Sequence, residues 1–127
     1  MDRTAVMAWV AAYERLWRAD DPDPLDTIFT EDVRYLRSPY AEPLDGLAAV
    51  RAFWRDPTPF TMTAEPVAVE GSEAVVRLEV RYGGDEPQDY RDLWVLRFAP
   101  DGRVRHFEEW PTWPGFTETP SDGSAAG

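Results

Sequence analysis

The 127-residue chain has no cysteine, so it has no disulfide framework and no thiolate to act as nucleophile or soft metal ligand. Its single histidine, His106, has no second His or Cys at ligand spacing, which argues against a metal site. No apolar run approaches the ~20 residues a bilayer span needs. The N-terminus carries Asp2, Arg3, Glu14 and Arg15 instead of a clean apolar leader, and the chain reads as cytoplasmic. Positive charge is also scarce: 13 Lys+Arg against 24 Asp+Glu leave a formal charge of -11. Such a surface repels phosphate backbones and anionic headgroups, so neither nucleic acid nor membrane is an expected partner. A GxSxG elbow, a phosphate-cradling glycine loop and a dinucleotide fingerprint are all missing, and no cofactor is expected.

What is present is a core. Apolar residues make up 43% and aromatics 13%, with six Trp, enough to exclude disorder. Val6, Trp9, Val10, Tyr13, Leu16 and Trp17 form a 3.6-period stripe that predicts a helix capped by Asp2 and ending near Ala19. Asp23 with Pro24 predicts a short second helix carrying Leu25, Ile28 and Phe29. The segment from Val33 to Ser38 alternates as a short strand, and Asp45 is placed to cap a third helix with Leu47, Val50, Phe53 and Trp54. From Phe60 the pattern turns to strands at about 60–69, 73–82, 88–99 and 103–110, with Pro66 marking a bulge or edge.

Helices followed by consecutive strands give an α+β class. The expected architecture is a cone-shaped, curved antiparallel sheet, a four-strand meander plus one short N-terminal strand, covered by three helices. One domain spans 1–116, and 117–127, rich in Ser, Gly and Pro, reads as a loose tail. The interior of the cone is where a small, largely apolar organic ligand would sit.

This element order, with Phe29-Thr30-Glu31-Asp32 before the first strand and Pro39-Tyr40-Ala41-Glu42-Pro43-Leu44-Asp45-Gly46 before the third helix, resembles the nuclear-transport-factor-2-like superfamily. Within it the SnoaL-like proteins are the nearest in look. Asp92-Leu93-Trp94, Asp101-Gly102-Arg103-Val104 and Glu109-Trp110 resemble their last hairpin. The resemblance implies a homodimer formed through the sheet. In the ketosteroid-isomerase pattern, Tyr13 falls at the oxyanion-hole tyrosine, but the catalytic base falls on Arg37 and the second acid near Trp94, which leaves proton abstraction without an agent. In the limonene-epoxide-hydrolase pattern, Tyr35, Arg77-Leu78-Glu79 and Glu109 fall at the tyrosine, Arg-x-acid and final acid. That family uses aspartates and an asparagine; here both acids are glutamates and Arg37 stands in the asparagine's place.

Alternation leaves the strand at 73–82 open to two orientations: Val76, Leu78, Val80 and Tyr82 inward, or Arg77 and Glu79 lining the cone with an apolar outer face at a subunit interface. In the second orientation the resemblance implies Glu109 as general base, Glu79 as general acid, Arg77 as the bridge between them and Tyr35 as donor to water or substrate. Candidate wall residues are Trp9, Tyr13 and Trp17 on the first helix, Arg37 in the first strand, Trp54 on the third helix, Asp92 and Trp94 on one face of the strand at 88–99, and Phe107, which shares parity with Glu109. The competing reading is a ligand-binding or dimerisation module without chemistry, its charges held in structural ion pairs.

Overall fold

The computed structural model describes residues 1–54 and 58–115. Helix α1 (Arg3–Ala19) begins as the sequence predicts, with the Asp2 carboxylate accepting from the Ala5 amide at 2.8 Å. It ends at Asp20, whose left-handed φ of 52° lets its N–H turn back to the Trp17 carbonyl. Val6, Trp9, Val10 and Tyr13 are its buried stripe.

The expected second helix is a single 3-10 turn, Asp23–Thr27, with no side-chain cap from Asp23. Pro22 and Pro24 have no amide hydrogens to donate, and the turn closes through short i→i+3 bonds, Leu25 to Pro22 and Ile28 to Leu25. Two α-helices and this turn therefore replace the three helices expected. Strand β1 (Phe29–Leu36) starts four residues before Val33, because an irregularity between Phe29 and Arg34 breaks the alternation that would have revealed it. Asp45 caps nothing: it lies in a two-residue strand β2 (Leu44–Asp45), paired with Arg34 of β1. The turn into α2 (Leu47–Phe53) is made by Gly46 at φ 91°, a conformation that favours glycine, with its amide bonded to the Val33 carbonyl at 2.7 Å.

Strands β3 (Phe60–Glu70), β4 (Glu73–Tyr82), β5 (Gln88–Phe98) and β6 (Val104–Thr112) form the antiparallel meander that the turns predict, with a bulge beside Pro66. The six strands order as β2-β1-β6-β5-β4-β3. β1 runs parallel to β6, so the sheet is mixed and not purely antiparallel as expected. The connection between those two strands spans most of the chain.

One sheet face carries the core: Ala74, Val76, Leu78 and Val80 of β4, Trp94, Leu96 and Phe98 of β5, and Val104 and Phe107 of β6 pack against α1 and α2. Each such large side chain contributes about 1.5–3 kcal/mol when fully buried. The opposite face is open to solvent. Among the described residues no helix is long and apolar enough to cross a membrane. The segment 117–127 expected as a tail, together with Phe116, lies outside the described residues.

Candidate functional site

The layer between α1, α2 and the sheet is filled with rings. Tyr13 lies parallel to Phe107 at 5.5 Å, and Phe107 stacks on Tyr35 at 4.4 Å, so both phenols pack on one ring, and their hydroxyls meet at 2.7 Å. Beside them a cavity of about 120 Å³ opens, lined by Tyr13, Trp17, Asp20, Tyr35, Phe53, Trp54, Tyr82, Trp94 and Glu109. That volume approaches the ~150 Å³ of an engineered cavity that holds benzene, so it fits one small ring. Burial pushes both phenols well above the usual tyrosine range, and the nearby Glu109 pushes in the same direction. Both stay protonated. One hydroxyl donates to the other, leaving the pair a single O–H to offer an oxygen in the cavity.

At the sheet side of the cavity lie two carboxyls. Glu109 on β6 is opposite Trp94 in the ladder, and Asp92, two residues earlier on β5, is its diagonal neighbour on the same face. Asp92 is 5% exposed, and its Oδ1 has no partner among the described residues when both groups are drawn as carboxylates. A buried acceptor left this way costs about 1–3 kcal/mol. A proton on Glu109 supplies the missing donor. Burial raises Glu109 well above the ordinary glutamate value, and its hydrogen bond and repulsion with Asp92 raise it further, while the Trp94 indole opposes them. Burial raises Asp92 also, but the bond from Glu109 and the Thr112 backbone pull it down. Glu109 is thus the protonated member and Asp92 the carboxylate.

Arg77 and Glu79 do not reach this pair. They project from the opposite face of β4, where Arg77 binds Glu65 at 2.9 Å and Glu79 lies 3.8 Å from Arg91. The apolar residues of β4 take the inner face because α1 and α2 cover it, and the outer charges keep their hydration. The expected trio of Arg77, Glu79 and Glu109 is not brought together; Asp92 occupies the position beside Glu109 assigned to Glu79. Of the other expected residues, Tyr13, Trp17, Tyr35, Trp54 and Trp94 line the cavity. Trp9 is core, its indole bound to the Ile28 carbonyl at 2.9 Å, and Phe107 is fully buried behind the tyrosines. Arg37 stands at the outer rim, its guanidinium 5.0 Å from the centre of the Phe53 ring. Among the described residues no group of three His, Cys, Asp or Glu side chains could hold a metal ion.

The model of the SnoaL-like domain matches residues 10–107, most of the chain. The chain belongs to the SnoaL-like domain family. Among solved structures, this SnoaL-like chain is similar to the epoxide hydrolase/cyclase-like enzyme SalBIII, described for pyran ring formation in the polyether salinomycin. The two are 19% identical with a TM-score of 0.73, over 90% of this chain and 94% of that one. It is also similar to a computationally designed 17-OHP binder, 17% identical with a TM-score of 0.68, over 82% and 90% of the two chains. At these identities the likeness speaks for the fold. No curated protein matches the sequence.

Sequence reasoning passed over three wall residues of this SnoaL-like chain. The sequence pattern marks Phe53 only as helix core and Tyr82 as part of an apolar strand face, and places Asp20 just past the helix end near Ala19. The signal for Tyr82 was present in its parity with Leu78 and Val80. Asp20 enters the cavity lining only because its left-handed turn ends α1 there, and spacing does not encode that.

Proposed function

We propose that the chain binds a small, largely apolar organic molecule in this cavity and performs cofactor-free acid–base chemistry on it, the opening of an epoxide by a hydroxyl nucleophile. The observation that supports this reading is the hydrogen-bonded Glu109–Asp92 carboxyl pair at the edge of an aromatic cavity, where burial and the neighbouring Asp92 raise Glu109 and favour the proton on it. The nucleophile is water or a hydroxyl of the substrate itself. Asp92 takes its proton as the new C–O bond forms, the epoxide C–O bond breaks, and Glu109 gives its proton to the departing oxygen. The Tyr13–Tyr35 pair donates its free O–H to the same oxygen. After one turnover a proton has passed from Glu109 to Asp92, and their shared hydrogen bond returns it without help from solvent. The similarity to SalBIII agrees with this class of chemistry.

The test is turnover of cyclohexene oxide and styrene oxide, whose single rings suit the cavity. Glu109→Gln should lower kcat by about 100-fold or more, in line with the usual worth of a general acid. kcat/KM should follow a bell in pH whose limbs both lie above the ordinary carboxyl values, since both groups are raised. Normal turnover by Glu109→Gln would remove the chemistry. The second reading, binding without chemistry, draws on the likeness to the designed 17-OHP binder and requires saturable binding with no product from any epoxide.

The proposal extends to assembly as a homodimer through the outer sheet face. Leu93 and Trp110 are cross-strand partners there, 40% and 48% exposed, and form an apolar centre among charged side chains.

A further inference from the structure

A second hollow, of about 310 Å³, lies beyond the Asp92–Glu109 pair and shares Trp17, Tyr82 and Glu109 with the inner cavity. Its remaining wall is Arg37, Val80, Tyr90, Asp92 and Pro111. The inner cavity accepts one ring, and a larger ligand must continue into this outer space. Its chemistry there is set by the one cation in the lining, Arg37.

Arg37 is one of five described arginines, with Arg3, Arg15, Arg34 and Arg105, that have no carboxylate within ion-pair distance among the described residues, and it is the one of these that lines the hollow. Seven arginines, at 18, 51, 77, 81, 91, 97 and 103, have a carboxylate within ion-pair distance. Arg37 has none among the described residues, although acids outnumber bases 24 to 13 in this chain. It sits just after β1, the strand that fixes Tyr35, and it rests over Phe53. A stacked guanidinium is held in place by its ring while its N–H edge stays free for a carboxylate. The nearest carboxyls in the hollow, Asp92 and Glu109, are occupied with each other.

We infer that Arg37 reads the charge of the ligand: the molecule is an apolar ring or chain that ends in a carboxylate, with the reacting end in the inner cavity and the acid paired with Arg37 in the outer hollow. This rests on the assignment of the cavity as the ligand site and not on the chemistry proposed for it. The net charge of -11 repels a free anion at long range, so the preference arises locally and needs the apolar part of the ligand to bring the acid to the rim.

The test compares 4-phenylbutyrate with 4-phenylbutyramide, which share ring and chain and differ in charge. Binding is followed by fluorescence, since Trp17, Trp54 and Trp94 line the cavity. The acid should bind at least about fivefold more tightly than the amide at low salt, as expected of a charge-assisted, partly exposed pair. Arg37→Gln should bring that ratio to one while leaving amide binding unchanged, and Arg37→Glu should invert it. Equal binding of acid and amide, an unchanged ratio in Arg37→Gln, or no binding of either probe overturns the inference. Glu109→Gln separates the two proposals: a retained acid preference with undiminished epoxide turnover removes the catalytic reading alone, and a lost turnover with a retained preference upholds both.

Discussion

The Tyr13 hydroxyl sits where two demands meet: it must satisfy Tyr35 in a buried layer and keep a donor for the cavity. Tyr13→Phe strands the Tyr35 hydroxyl, and Tyr35→Phe strands that of Tyr13, each at about 1–3 kcal/mol. The double substitution leaves neither orphan, so urea unfolding should show it to be markedly less destabilised than the sum of the singles. Additive losses would mean that the 2.7 Å contact contributes little in solution. The chemistry of Glu109 and Asp92 comes from the same economy of donors, with the proton of Glu109 held against a carboxyl whose Oδ1 has no other donor among the described residues.

On strand β4 three consecutive residues carry opposite expectations. Arg77→Ala and Glu79→Ala remove exposed pairs and should change stability by less than about 1 kcal/mol, with epoxide turnover intact. Leu78→Ala, between them and 1% exposed, should cost about 2–5 kcal/mol in the same denaturant titration. A loss of turnover in Arg77→Ala at full stability would return that side chain to the site. The alternation of β4 was plain in the sequence, and so was the meander, the Asp2 cap and the stripe from Val6 to Trp17. Parity alone is symmetric, however, and the covered face is decided by where α1 and α2 lie. The epoxide-hydrolase likeness favoured the charged face; the rings of Tyr13, Trp17 and Trp54 claim the apolar one. Glu109 was legible because it shares parity with Phe107. The pairing of Asp92 with Glu109 was not, since it depends on the diagonal register of β5 on β6. The shift of register between Phe29 and Arg34 likewise hid the start of β1.

For the molecule as a whole, the raised carboxyl of Glu109 has a consequence for stability. A group that binds its proton more tightly when folded favours the native state fully below its unfolded pKa of about 4.5, and that contribution is lost as pH rises through the folded pKa. Stability should therefore decline over that window above 4.5, and the decline should flatten in Glu109→Gln. Matching slopes in the two proteins would show that Glu109 titrates normally. At the same scale, Leu93→Asp or Trp110→Asp should turn a dimer into a monomer by sedimentation without altering the far-UV signal, because both side chains point away from the core. A monomeric parent protein would set the sheet-face assembly aside.

The parallel seam between β1 and β6 also sets an order of events during synthesis. β1 leaves the ribosome early but has only the two residues of β2 to bond with until β6 emerges, some seventy residues later. Glu109 rides on that final strand, so the ring-lined chamber acquires its acid at the moment it is sealed, and a nascent chain halted before residue 104 holds the phenols without the proton donor.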